Sequence, residues 1–126
     1  MNDLDEVVTA AISLEGIESA AIFVRHTGST DLELGAAAGV EGPPLDALVA
    51  AVRNPEHPIT KTMDDAAPSY DVRPMNPGGP ALRAHLPLDG HGVLAVTYES
   101  PLPPAAKATL EGLAGSAAAI LRHSEG

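Results

Sequence analysis

A proline- and glycine-rich stretch in the middle of the chain limits, more than any other feature, the folds that this sequence can form. Residues 54–80 contain six prolines and two glycines, and proline breaks helices and interrupts central strands. We therefore predict regular structure there only in two short pieces, Ile59–Thr62 and Ser69–Val72. Because a long irregular segment inside a compact domain is usually a functional loop or a mobile one, we predict that residues 54–80 carry the informative surface.

The residues before this segment predict a helix, a strand hairpin and a second helix. Apolar side chains recur at helical spacing over residues 3–15. Two short apolar runs, 20–26 and 32–38, are joined by a turn that contains glycine and serine, which predicts two antiparallel strands. A proline pair then begins a helix over residues 43–53.

The residues after the segment predict a second hairpin and a long final helix. Asp89 and Gly90 separate strand-like runs at 81–88 and 91–99, and Asp-Gly is a strong signal for a two-residue turn. Three prolines then introduce a helix that ends near Arg122.

The order of these elements predicts a single α+β domain over residues 1–126, because antiparallel strands flanked by helices pack in two or three layers. Its core has few large side chains, since 22 residues are alanine and Phe23, Tyr70 and Tyr98 are the only aromatic residues. Alanine is frequent in the last helix and on one side of the second hairpin, which predicts close packing of helix on sheet.

A two-residue turn also determines the predicted pairing of the second hairpin, because the facing residues can be counted outward from the turn on both strands. One side is then apolar, and the other carries Arg83, His85 and Tyr98 among aliphatic residues, a mixture typical of a small-molecule pocket. The alternative is a half-solvated side with Arg83 and His85 in water. A slip of one residue would exchange the two sides. The predicted pairs are Leu88 with His91, Leu86 with Val93, Ala84 with Ala95 and Leu82 with Thr97 on the apolar side, and His85 with Leu94, Arg83 with Val96 and Ala81 with Tyr98 on the mixed side.

The charge of the chain argues against polyanionic partners. Seven basic and 17 acidic residues give a formal net charge of −10, which repels nucleic-acid backbones and anionic membranes. The acidic N-terminus does not resemble a signal peptide, and no apolar run is long enough to span a bilayer. We therefore predict a cytoplasmic protein that binds neither nucleic acid nor membrane.

The C-terminal third, residues 84–121, resembles the end of GAF domains. It has Pro-Leu at the end of a strand (87–88), a Gly-Val-Leu-x-Val strand (92–96), a proline-containing linker (101–104) and the helix pattern Leu-x-x-Leu-Ala-x-x-Ala-Ala from Leu110. The first helix and first hairpin also fit. The resemblance implies a twisted antiparallel sheet with the terminal helices on one face and a ligand pocket on the other, under the central helix and loop.

Domains of this family mostly bind small molecules or dimerise in bacterial signalling proteins, so the resemblance implies a non-catalytic small-molecule sensor. Cysteine is absent, which excludes thioether attachment of a bilin and the thiol-catalytic branch of the family. The cyclic-nucleotide signature is not met, because its phenylalanine is missing. No cofactor is predicted, and haem, which needs a histidine ligand, stays an open alternative.

The second hypothesis is an interaction module of GAF or roadblock type that forms a homodimer through its terminal helices, with a vestigial pocket. Gly112, Gly115 and Ser116 favour it, because small residues that lower helix propensity allow close approach by another element. Enzymatic activity is not predicted, because no nucleophile–base motif, P-loop or dinucleotide fingerprint occurs.

Six residues are predicted to line the pocket and contact an unidentified small molecule. Met63 and Tyr70 are the largest apolar groups of the central segment, and we predict that they fold onto the pocket face, as core or as ligand contacts. Most other histidines and the loop aspartates are predicted to be solvated. The six candidates are Phe23, Met63, Tyr70, Arg83, His85 and Tyr98.

Overall fold

The computed structural model describes two helices and a five-stranded sheet. They are α1 (Asp3–Ile12), β1 (Ile17–Arg25), β2 (Leu32–Ala38), β3 (Ser69–Val72), β4 (Leu82–Pro87), β5 (Gly92–Tyr98) and α2 (Pro104–Glu125). The described residues are 3–14, 16–25, 32–39, 46, 49–50, 52, 59, 61–62, 67–72 and 82–125.

The sheet has the strand order β2-β1-β5-β4-β3, and every neighbouring pair is antiparallel. The predicted α+β class and both predicted hairpins are confirmed. Strand β1 begins three residues before the predicted run, at Ile17. Backbone at Asp46, Val49 and Ala50 is helical, as predicted for 43–53, and most of that helix and of the segment 54–80 lies outside the described residues.

Both described helices pack on the same face of the sheet, which we call the helical face. Helix α1 contributes the apolar stripe that its spacing predicts, and α2 contributes a stripe that is mostly alanine. Alanine brings the axis of α2 close to the sheet, because its side chain adds little thickness between the two backbones. The α2 stripe consists of Leu110, Ala114, Ala117, Ala118 and Leu121, and it packs against Leu82, Ala84, Leu86, Leu94, Val96 and Tyr98 of the sheet.

The register of the β4–β5 hairpin differs by one residue from the predicted register. Leu86 pairs with Leu94, and Leu82 pairs with Tyr98. The two-residue turn itself is present, since Asp89 and Gly90 both have positive φ, as a type I′ turn requires. The pairs beyond the turn are shifted. Ala95, predicted on the side of Ala84, therefore lies on the opposite face.

A β-bulge beside the turn causes the shift. The Leu88 carbonyl accepts a hydrogen bond from the His91 N–H (3.0 Å), but the Leu88 N–H donates to the Gly92 carbonyl (2.9 Å). His91 and Gly92 thus both oppose Leu88. The His91 carbonyl instead accepts the Arg25 N–H of β1 (2.8 Å), so a third strand stabilises the bulge.

The small residues on the outer side of α2 do not contact another element of the described chain. Gly112 and Gly115 are exposed, and a Cβ atom added at either would meet nothing within 4 Å. The prediction that they permit close approach is therefore wrong for contacts within the described chain. Contact with a second copy stays a prediction. None of the described helices is long and apolar enough to cross a bilayer.

Candidate functional site

The sheet face that points away from α1 and α2 is the candidate site, and we call it the distal face. Successive side chains of a strand alternate between faces, so every second residue of β1, β5 and β4 lies there. Strand pairing arranges them in three rows across the sheet. The first row is Ser19, Thr97 and Arg83; the second is Ala21, Ala95, His85 and Ser69; the third is Phe23, Val93 and Pro87.

The first row is polar. The hydroxyls of Ser19 and Thr97 are hydrogen-bonded to each other across β1 and β5. Arg83 lies beside Thr97 on β4, with Val72 of β3 on its other side. Two hydroxyls and a guanidinium therefore form a continuous line on a sheet whose other face is almost entirely apolar.

Arg83 has an unusual environment for an arginine. Its side chain is half-buried, and within the described part of the chain its buried Nε atom has no hydrogen-bond partner. Burial lowers the pKa of Arg83 below its ordinary value, because desolvation disfavours the charged form. By contrast, two other cations of the described chain have partners. The Arg122 Nη1 atom lies 3.7 Å from the Asp89 Oδ2 atom on the surface, and the Lys107 Nζ atom lies 5.0 Å from the Tyr70 ring centroid.

The second row is a shallow floor with an imidazole at one end. Ala21 and Ala95 are both buried and project only methyl groups. His85 is 1% exposed and lies between Ala95 and Ser69 in the register. The two alanines belong to the same buried cluster as Val52 and Ile59, and His85 lies at the edge of this floor.

The third row closes the site with an apolar cluster. Phe23 is fully buried and packs with Val93, Val52 and Ile59. Val52 and Ile59 come from the chain between β2 and β3, and they pack on the distal face against Phe23 and the alanine floor. The distal face thus changes from polar at Arg83 to apolar at Phe23.

The structure separates the six predicted pocket residues. Phe23, Arg83 and His85 lie on the distal face, whereas Tyr70 and Tyr98 lie on the helical face. Their predicted placement with His85 is therefore wrong. For Tyr98 the cause is the one-residue register shift. Ligand contact by Phe23, Arg83 and His85 stays a prediction, and Met63 lies outside the described residues.

Tyr98 and Tyr70 connect β3 to the core and to α2. The fully buried Tyr98 accepts a hydrogen bond from the Asp71 N–H (2.7 Å) and donates one to the Asp71 carboxylate (2.9 Å). Tyr70 donates to the Glu111 carboxylate (2.8 Å). Burial, and to a smaller extent the Asp71 carboxylate, raises the pKa of Tyr98 to about 12. The pKa of Tyr70 is raised further, by burial and by Glu111.

Tyr98→Phe is expected to lower the free energy of unfolding by about 1 kcal/mol at neutral pH, because it removes a partly buried hydrogen-bonded pair. The folded-state pKa exceeds the ordinary value of 10.0. Stability from the Tyr98 hydroxyl is thus complete below pH 10.0 and is lost as pH rises through about 12. Urea denaturation should be measured from neutral pH to about pH 12. Over this range, the free energy of unfolding should fall less for Tyr98→Phe than for the wild type.

Tyr70→Phe is the matched control, since its hydrogen bond to Glu111 is exposed. We expect it to cost less than Tyr98→Phe at neutral pH. Parallel pH profiles for the wild type and Tyr98→Phe would contradict the assigned role of the buried hydroxyl.

Sequence reasoning missed Ser19 and Thr97, because the predicted register put Thr97 on the apolar side. Counting the β4–β5 pairs from the bulge would have placed Thr97 beside Arg83, whereas Ser19 lies before the predicted first strand. The other described histidines lie apart from this site: His91 is half-buried at the bulge, and His123 is exposed, as predicted. No group of three or more histidine, aspartate or glutamate side chains within the described residues could hold a metal ion. His26 and His57 lie outside the described residues.

An open groove of about 340 Å³ lies between α2 and the end of β4. Two carboxylates, Asp89 and Glu111, lie on its rim, and both already have partners in Arg122 and Tyr70. Its floor is formed by small and apolar side chains of the helical face. The groove therefore has fewer available polar groups than the distal face. Its lining residues are Pro68, Leu86, Pro87, Asp89, Glu111, Ala114, Gly115 and Ala118.

Comparison with solved structures identifies the fold. The second GAF domain of DevS from Mycobacterium smegmatis is 22% identical, with a TM-score of 0.74 over 96% of this chain and 91% of that chain. The GAF domain of a phosphoenolpyruvate-protein phosphotransferase from Coxiella burnetii is 17% identical, with a TM-score of 0.75 over 97% and 82%. A methyl-accepting chemotaxis protein is 18% identical, with a TM-score of 0.70 over 95% and 87%. No protein-family model matches the sequence, and no curated protein matches it.

Proposed function

We propose that this chain, which has a GAF fold, is a signalling module that binds a small organic molecule on the distal face and does not transform it. The observation that carries the proposal is the polar first row with the buried His85 beside it, over an alanine floor. Convergent polar groups on a concave, mostly apolar surface are the usual composition of a small-molecule site.

The similar structures support a role in signalling. They include domains of a phosphotransferase and of a chemotaxis protein. The bacterial origin of the similar domains supports a bacterial setting, and the net charge of −10 disfavours nucleic acid and anionic membranes as partners. A cytoplasmic location stays a prediction.

The chemistry of the first row supports binding without catalysis. Ser19 and Thr97 hydrogen-bond to each other, and a hydroxyl is too weak a base to activate a second hydroxyl as a nucleophile. A guanidinium stays protonated at neutral pH, so Arg83 can position an anionic or polar group but cannot accept a proton from it.

A thermal-shift screen of small metabolites tests the proposal. At a concentration about 100-fold above its Kd, a ligand stabilises the folded state by about 2.7 kcal/mol, a readily measured rise in Tm. Ala95→Leu, which enlarges a buried side chain of the floor, is expected to abolish the rise. Ala108→Leu makes the same change at an exposed position of α2 and should leave the rise intact. The proposal fails if no compound raises Tm, or if Ala95→Leu responds like the wild type.

Self-association through α2 is the second candidate function. Gly112, Gly115 and Ser116 are exposed on α2, and small residues on an outer helix face allow a second helix to approach closely. Sedimentation equilibrium on the same samples tests this candidate, and a monomer at every concentration would contradict it.

A further inference from the structure

We propose that the molecule bound on the distal face is an anion, a small organic carboxylate or phosphate monoester whose charged group pairs with Arg83. The inference rests on the proposed function and specifies the chemical class of its ligand. It is carried by the half-buried guanidinium of Arg83, by the hydrogen-bond donors beside it and by the gradient of polarity along the distal face.

Arg83 lacks a counter-charge within the part of the chain that the structure describes. A cation removed from water is costly unless a hydrogen-bonded opposite charge compensates it. Among the described residues, Arg83 has no such partner, and its Nε atom is buried. The carboxylates that the structure does pair are elsewhere: Asp71 is bonded to Tyr98, Glu111 to Tyr70, and Asp89 lies beside Arg122.

Arg83 and the hydroxyls beside it supply hydrogen-bond donors of the kind that an anion needs. Arg83 presents several N–H groups in one plane, a geometry that matches a carboxylate or a phosphate. In the Ser19–Thr97 pair, one hydroxyl hydrogen lies in their mutual bond and the other is available to donate. An anion above Arg83 would therefore meet the guanidinium of β4 and one hydroxyl donor from the β1–β5 pair.

The neighbours of Arg83 determine the direction in which the rest of a bound ligand can extend. Val72 borders Arg83 on one side, whereas the floor of Ala21 and Ala95 leads toward the Phe23 cluster. A ligand with its charge at Arg83 would place an apolar or weakly polar body over the alanines. A small amphipathic anion matches this arrangement, and a cation would meet Arg83 with repulsion.

The test uses the thermal-shift screen with matched sets of compounds. Each set has one carbon skeleton that carries a carboxylate, a phosphate monoester or a neutral amide or alcohol. We expect the binding compounds to be anions, with the neutral members at least about 10-fold weaker. Arg83→Gln should weaken anion binding by about 10- to 100-fold, the range for a lost charge-assisted hydrogen bond. Arg83→Lys keeps the charge without the planar donor geometry and should be intermediate. Comparison of the carboxylate and phosphate members decides between the two anions.

Arg122→Gln is the matched control, since it makes the same change of charge on an exposed residue of α2 and should not alter binding. Without ligand, Arg83→Gln should melt at or above the wild-type temperature, whereas loss of a purely structural arginine would lower Tm. Neutral or cationic ligands, or full affinity for anions in Arg83→Gln, would overturn this inference and leave the proposed function standing. If no compound binds the wild type, both fail.

Discussion

Gly92→Ala is expected to destabilise the protein by about 3 kcal/mol, near the upper end of the range for overpacking a core. Gly92 is buried where β5 begins, opposite Val24 of β1. A Cβ atom at this position would collide with the main-chain carbonyl oxygen of Phe23. A carbonyl within a paired strand cannot rotate away as a flexible side chain can, so β1 and β5 would have to separate. The measurement is equilibrium urea denaturation.

Gly112→Ala is the matched control for this prediction, because the same methyl group is added where nothing lies within 4 Å. Gly112 is in α2, and replacing an exposed helical glycine by alanine should stabilise the protein by about 0.5–1 kcal/mol. The two substitutions should therefore change the denaturation midpoint in opposite directions. A Gly92→Ala protein as stable as the wild type would contradict the close approach of β1 and β5.

Phe23→Ala is expected to lower the free energy of unfolding by about 3–5 kcal/mol, the range for truncating a buried aromatic side chain. Phe23 is fully buried and contacts the cluster formed by Val52, Ile59 and Val93. Its loss would leave a cavity where the chain between β2 and β3 packs on the sheet. The corresponding fall in Tm is on the order of 15 °C, measurable by circular dichroism.

Leu34→Ala is the control for Phe23→Ala. Leu34 pairs with Phe23 in the neighbouring strand, but it is 37% exposed, so its truncation should cost less than about 1 kcal/mol. An equal loss in the free energy of unfolding for the two variants would contradict the burial of Phe23 under Val52 and Ile59. The predicted difference would assign Phe23 mainly to the core rather than to the ligand.

Predictions from the sequence were most accurate where the physics is local. The Asp89-Gly90 turn, the apolar stripe of α1 and the alanine-rich stripe of α2 follow from side-chain periodicity and turn chemistry, which neighbouring residues alone decide. The GAF-like arrangement followed from the residues of the C-terminal third, and the solved structures bear it out. The segment 54–80 could be predicted only as irregular, because proline and glycine exclude structures without selecting one.

The composition of the two sheet faces depends on a contact that is distant in the chain. Local pattern predicted the β4–β5 hairpin and its turn, and it placed Arg83 and His85 on one side of that hairpin. It could not predict the bulge, because the bulge is stabilised when the His91 carbonyl accepts the Arg25 N–H of another strand. That single extra residue moves Tyr98 to the helical face, and it brings Thr97 beside Arg83 and Ala95 beside His85. The elements of this protein are thus encoded in short stretches of sequence, whereas the candidate site is assembled by tertiary pairing, since register depends on the strands that meet.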